Sequence, residues 1–137
     1  MPAAKRFEEL EVWRVGMDVG EGVYAICRHE PLCRDRSLCD QMQRAAVSIP
    51  SNIAEGFENA SRGQFLRYLF IARGSVGELR TQLMLTRRVH QLDVNAVVRK
   101  CERLSKQIWN LIQYLKTSEY AGDRARPGKP REDPYRR

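Results

Sequence analysis

The stretch Gln43-Arg44-Ala45-Ala46-Val47-Ser48-Ile49-Pro50-Ser51-Asn52-Ile53-Ala54-Glu55-Gly56 decides the fold. Extended back to Leu38, its apolar positions Leu38, Met42, Ala45, Ile49, Ile53 and Gly56 recur at spacings of three and four. That spacing marks one buried helix face. Arg44, Ser48, Ser51, Asn52 and Glu55 fall on the other side, a polar stripe that a plain core helix does not need. Pro50 removes a backbone hydrogen bond and crowds the preceding turn, which predicts a kink. The apolar phase continues across it, so the reading is one helix from Arg36 to Glu55, with Gly56 suited to a left-handed cap.

Working outward, the same periodicity predicts three more helices. Helix 1 is read from Glu8 to Arg28, with Leu10, Trp13, Met17, Gly20, Tyr24 and Cys27 as a heptad-type seam. Glu8, Glu9 and Glu11 sit at its start, where carboxylates favour the positive end of the helix dipole. Pro31 stops it, and 31–35 is a loop. Ser61 and Gln64 form a capping box for helix 3, whose seam is Phe65, Leu69, Ala72, Val76, Leu79 and Leu83. At about 27 residues it is ~40 Å long. Asp93 can cap helix 4, with Val94, Val98, Cys101, Leu104, Ile108, Leu111 and Leu115 inward. No segment alternates as a strand does.

Four helices with short connections predict an all-α, antiparallel up-down-up-down four-helix bundle. It occupies 7–117, after a flexible 1–6. Residues 118–137 are rich in Pro, Gly and charge, with little to bury, so a disordered basic tail is expected.

Length and composition agree with this reading. A chain of 137 residues with 42% apolar and 30% charged side chains can bury a core without disulfide or metal staples. No apolar run approaches the ~20 residues that span a bilayer. The N-terminal segment lacks a signal-peptide pattern, which makes the cytoplasm the expected compartment. Cys27, Cys33 and Cys39 lie six residues apart and Cys101 is distant. Zinc ligands usually pair at two to four, and His29 beside Cys27 does not repair the spacing. Reduced thiols are expected, with Cys27 and Cys101 on core faces.

The net charge of +7 is unevenly spread. Residues 1–61 carry seven Lys/Arg against ten Asp/Glu, whereas residues 62–106 carry ten against Glu78, Asp93 and Glu102. Arg73, Arg80 and Arg87 recur every seven residues on one flank of helix 3, and Arg99, Arg103 and Lys106 form a stripe on helix 4. Arg87, Arg88, His90, Arg99 and Lys100 are expected to converge at the turn between the two helices. A solvated, ion-paired face is the plain account of such a run. With so few local acids, we favour phosphate-backbone binding by counterion release. The predicted nucleic-acid surface is Arg73, Arg80, Arg87, Arg88, Arg99, Lys100, Arg103 and Lys106. No motif supports base-specific reading.

Enzymatic chemistry finds little support in the inventory. A ferritin-like di-iron site needs a Glu-x-x-His motif on each of two helices, and neither His29 nor His90 has Glu three residues before it. There is no Gly-Lys-Ser/Thr phosphate loop. Gly74-Ser75 lacks the strand-to-helix turn of a nucleophile elbow. Glu55 and Glu78 read as polar residues fixing helix register or subunit contacts, paired to Arg44 or another Arg, rather than as an acid–base couple. The expectation is no enzyme, no metal and no cofactor, and Arg44, Asn52, Glu55 and Glu78 remain a polar motif without an assigned role.

Helix 3 also carries Phe70, Ile71, Met84 and Leu85 beside its seam, with Gly74 and Gly77 between them, and helix 4 adds Trp109 and Ile112. A broad core face explains this, and so does self-association through Phe70, Gly74, Gly77 and Met84. We favour the second, because glycines admit a neighbouring backbone and a repeated side-to-side contact closes a ring.

Three ordered motifs carry a resemblance: Phe7-Glu8-Glu9-Leu10-Glu11-Val12-Trp13, the segment from Arg44 to Gly56, and Gly74-Ser75 with Glu78-Leu79 and Thr81-Gln82-Leu83. Across most of residues 7–116 the chain resembles the bacterial four-helix-bundle proteins encoded by intervening sequences of 23S ribosomal RNA genes. That family is related to the accessory variability proteins of diversity-generating retroelements. The resemblance implies a homopentameric barrel and, for the retroelement relatives, binding of nucleic acid and of a reverse transcriptase. The expected function is a non-enzymatic oligomer that binds structured RNA or RNA/DNA. The alternative is an oligomeric protein scaffold that binds no nucleic acid, using the Asn52, Glu55, Glu78 stripe and the second apolar face.

Overall fold

Asp35 starts the second of these helices. Its carboxylate accepts the Leu38 amide at 3.2 Å and caps α2 (Arg36–Glu58), the helix that carries the deciding stretch. The computed structural model describes residues 4–59 and 61–117. It contains α1 (Glu11–Ile26), α3 (Arg62–His90) and α4 (Asn95–Thr117) besides α2, with single 3-10 turns at Phe7–Glu9 and Leu32–Arg34. Among the described residues there is no strand. The tail predicted for 118–137 lies outside them, as do residues 1–3 of the predicted N-terminal segment.

Each helix packs on two others. α2 lies against α1 and α3, and α4 lies against α3 and α1, which leaves α1 and α3 diagonally opposed. Val19 and Val23, Ile49 and Ile53, Leu69 and Leu79, and Leu104 and Ile108 are fully buried where the four faces meet. Burying a Val, Leu or Ile side chain stabilises by roughly 1.5–3 kcal/mol, so this shared face holds the bundle together. The seam of α3 is buried throughout, as its spacing predicts, and Ser61 accepts the Gln64 amide at 3.2 Å. Cys27 and Cys101 are buried as expected.

The seam predicted for helix 1 is out of phase. α1 starts at Glu11, because Leu10 is extended (φ −74°, ψ 125°), so Glu8 and Glu9 belong to the preceding turn. Its inward residues are Val12, Gly16, Val19 and Val23, while Met17 and Tyr24 are exposed. A Cβ added at Gly16 would stand 3.4 Å from Ile49 Cγ2 and 3.7 Å from Pro50 Cβ, so this face of α1 is in van der Waals reach of α2. The bulky stripe is turned outward, where it helps to line an apolar groove of about 590 Å³ between α1 and α2.

Gly56 is not a cap. α2 continues through Pro50 and Gly56 to Glu58, and Asn59 closes it by donating its side-chain amide to the Glu55 carbonyl at 2.7 Å. A Cβ at Gly56 would stand 2.5 Å from Tyr68 Cβ, so this glycine lets α3 approach. On α4 the inward residue is Ile112, with Leu111 at the margin. Met84, predicted for the outer face of α3, is half-buried and packs against the core.

Candidate nucleic-acid interface

The eight predicted cations divide into two sets. Arg73, Arg80 and Arg87 lie on the flank of α3 that meets α4, and each is engaged there. Arg73 Nε donates to the Ser105 carbonyl at 3.4 Å, and its guanidinium carbon sits 4.9 Å from the centre of the Trp109 ring. Arg80 Nη2 is 3.9 Å from Glu102 Oε1, and its buried Nε has no hydrogen-bond partner among the described residues. Arg87 Nη1 donates to Asn95 Oδ1 at 2.6 Å. On the other side of α4, Arg103 Nη2 stands 3.9 Å from Glu11 of α1. That pair is largely solvent-exposed, so it contributes little to stability.

Arg88, Arg99, Lys100 and Lys106 form the second set. All four are exposed, and no partner holds them among the described residues. A count of acids within 62–106 could not separate the sets. The groups that hold the first set are largely a carbonyl, an indole face, an amide and an acid from α1.

The turn between α3 and α4 also differs from the expected cluster. Gln91 ends α3 in the left-handed region (φ 52°), and the Asn95 amide is accepted by Asp93 Oδ1 at 3.0 Å, so Asp93 does serve the start of α4. His90 does not join the cations. Its Nε2 lies 2.9 Å from Asp35 Oδ2, tying the end of α3 to the start of α2. This hydrogen bond, and after it the Leu38 amide, hold the Asp35 carboxyl below its ordinary value. Asp35 falls in the segment 31–35, which the sequence reads as a loop. The signal that could have found it is an Asp three residues before the first apolar-periodic position, Leu38.

The polar motif of α2 faces α3 and is satisfied by neutral partners. Asn52 Nδ2 donates to the Ser48 carbonyl at 2.7 Å and to Ser48 Oγ at 2.9 Å, and Ser48 Oγ is 2.9 Å from Ser75 Oγ. Tyr68 donates its hydroxyl proton to Glu55 Oε1 at 3.2 Å, and Gln82 Nε2 donates to Glu78 Oε1 at 3.3 Å. Within the protomer, the expected pairing of Glu55 and Glu78 with Arg44 or another arginine is replaced by these neutral partners. Among the described residues neither carboxylate forms an ion pair, and Arg44 instead borders a shallow hollow with Asp40, Gln43 and Ser51. Ser48 with Ser75 and Glu55 with Tyr68 join α2 to α3, whereas the bonds of Asn52 and Glu78 stay within their own helices.

On the predicted self-association face, Phe70 is exposed, with Lys116 Nζ 5.3 Å from its ring centre. A Cβ added at Gly74 or Gly77 would meet nothing within 4 Å. These glycines therefore leave open space on the surface of the protomer.

Among the described residues no group of three or more His, Cys, Asp or Glu is placed to hold a metal ion, and no helix is long and apolar enough to cross a membrane. Residues 8–110 match the family described as 23S rRNA-intervening sequence protein. None of the curated proteins compared matches the chain.

Proposed function

The chain belongs to the family of 23S rRNA-intervening sequence proteins, and from that membership we propose that it is a non-enzymatic, oligomeric RNA-binding protein. The observation that carries the reading is the second cation set. Arg88, Arg99, Lys100 and Lys106 are exposed on α3 and α4 and lack a protein partner among the described residues. Exposed cations of this kind, on a chain with net charge +7, attract phosphate, and release of condensed counterions drives such binding without reading sequence.

In this proposal the bundle of 7–117 is the folded unit and the helices alternate in direction. Pairings that run down one helix as they run up the next support the alternation: Met42 with Thr86, Ser48 with Ser75 and Glu55 with Tyr68, then Arg87 with Asn95 and Arg73 with Ser105. Several copies form a ring, five by resemblance, which repeats the cationic face and strengthens binding through multivalency. The protein works in the cytoplasm on structured RNA or RNA/DNA. Association with 23S ribosomal RNA or with a retroelement reverse transcriptase is distinguished by what lies beside the gene.

Electrophoretic mobility of a structured RNA across a salt series tests the reading. Binding that weakens steeply with salt is expected. Absence of binding at low salt overturns it. The satisfied polar stripe and the exposed apolar residues would then favour the second reading, a scaffold for proteins alone.

A further inference from the structure

The groove between α1 and α2 is lined by aromatic side chains and left open among the described residues. Phe7, Trp13, Met17, Tyr24, Val47 and Pro50 form its walls. The Phe7 and Trp13 rings are tilted against each other at 5.2 Å, and Tyr24 and Val47 are 45% and 48% exposed. Glu21 is the one charged side chain that lines the groove, and no partner holds its carboxylate among the described residues. Beyond Tyr24 and Val47 the groove opens into the shallow hollow of Asp40 and Arg44, whose charges offset each other. Aromatic-lined grooves of this kind receive Pro-rich segments, which are already extended before they bind.

The chain carries a matching sequence outside the described residues. Arg124-Ala125-Arg126-Pro127-Gly128-Lys129-Pro130-Arg131 places two prolines three apart and sets four cations around them with no acid. We infer that the groove between α1 and α2 receives this segment of the same chain in a polyproline II conformation, the prolines on the aromatic walls and a cation beside Glu21. Length agrees. α1 from Trp13 to Tyr24 is about 16 Å long, which about five residues of polyproline II cover. Reach agrees as well. Gln107 Nε2 donates to Glu11 Oε1 at 3.3 Å, and a Cβ at Gly22 would stand 3.2 Å from Val97 Cγ2, so α4 runs antiparallel to α1. α4 therefore leaves the bundle at the end where α1 begins, and its last turns to Thr117 carry it about 15 Å past Glu11. Residues 118–126 extend to about 30 Å, enough to return that distance and cross α1, which is ~10 Å wide. Proline limits the conformational entropy lost on docking. The tether supplies an effective concentration of about a millimolar, which favours the chain's own segment over a free partner. The contact does not draw on the oligomeric or RNA-binding reading.

The test puts a photoreactive benzophenone amino acid in place of Lys129 in the full chain, irradiates it, and maps the cross-links by mass spectrometry. Cross-links to Met17 and its neighbours in the groove, within one chain, are expected. A mixture of isotope-labelled and unlabelled protein tells a link within a chain from a link between chains. Val47→Glu is expected to reduce the groove cross-links several-fold, and so is Pro127→Ala combined with Pro130→Ala. Circular dichroism checks the fold, with Tyr24→Ala as a second groove variant should Val47→Glu not fold. Cross-links scattered over the bundle, or none on it, overturn the contact. Groove cross-links that withstand both the groove and the proline substitutions report only chance encounters of a tethered arm, and overturn it too. Links between chains alone give the groove to the segment of a second copy and overturn the assignment to the same chain.

Discussion

His90 Nε2 and Asp35 Oδ2 stand 2.9 Å apart across 55 residues of sequence, and the same carboxylate caps α2 through the Leu38 amide. One side chain thereby joins the last turn of α3 to the first turn of α2. Asp35→Ala removes both bonds and is expected to lower the melting temperature. Asp35→Asn keeps a capping oxygen and is expected to lower it less. The Asp35 carboxyl lies below its ordinary value of 3.8 in the folded protein. Its contribution is present above the unfolded value and is lost as pH falls through the lower, folded one. Melting curves of the wild type and Asp35→Ala are thus expected to converge in acid, and a constant gap down to pH 2 would show that the carboxylate charge contributes nothing.

Two glycines on adjacent helices are expected to respond oppositely to alanine. At Gly56 the new Cβ would collide with Tyr68, and overpacking of this kind costs about 1–3 kcal/mol. At Gly77 it would meet open space in mid-helix, where alanine is better than glycine by about 0.5–1 kcal/mol. Urea unfolding of the separated protomer measures both. A bulky residue at Gly77 is expected to lower the mass of the assembly if that face is in contact.

Charge reversal separates the two cation sets. Replacing Arg88, Arg99, Lys100 and Lys106 by Glu is expected to weaken RNA binding strongly. The salt dependence is expected to flatten by roughly one unit of slope for each phosphate that is no longer neutralised. Replacing Arg136 and Arg137 in the same way is expected to matter less. Loss of binding on the latter change alone would move the binding surface off the bundle.

Arg73→Ala removes a cation from the Trp109 face and a hydrogen bond to Ser105. A stability loss of about 0.5–1 kcal/mol is expected from the stacking. The emission of Trp109, read in a Trp13→Phe background, is expected to shift as the indole gains water.

Thiol titration reports the core. Burial pushes the Cys101 thiol up to about 12, and burial together with neighbouring Cys39 pushes Cys27 to about 12. Cys39 is buried as well, which leaves half-buried Cys33 as the accessible thiol. Native protein at pH 8 is expected to react rapidly with one equivalent of a disulfide reagent, and Cys33→Ser to abolish that phase.

The sequence was most readable where one apolar stripe dominates a helix. α3 buries Phe65 through Leu83 as spacing alone predicts, and α2 buries Met42, Ala45, Ile49 and Ile53. On α1 the heptad spacing points to Leu10, Trp13, Met17, Gly20, Tyr24 and Cys27, whereas the buried residues are Val12, Gly16, Val19 and Val23. Both sets keep a three- and four-residue step, so periodicity alone does not decide between them; contact with Ile49 and Pro50 of α2 at Gly16 is a tertiary fact that no local pattern encodes. Gly56 departs from its sequence reading for a related reason. A glycine near a helix end suggests backbone freedom, whereas this one answers to Tyr68, twelve residues on and in another helix. Of the eight cations named from spacing, only tertiary contact separates Arg73, Arg80, Arg87 and Arg103, each engaged by a group of a neighbouring helix, from the four without a partner among the described residues.

The close approach at Gly56 also has a geometric consequence. A Cβ there would stand 2.5 Å from Tyr68 Cβ, so the crossing of α2 and α3 depends on the absence of one methyl group. The hydroxyl of the same Tyr68 reaches Glu55 at 3.2 Å, one residue before the glycine. A side chain at position 56 would push the tyrosine away, and the polar bond between the helices would be lost together with their close packing.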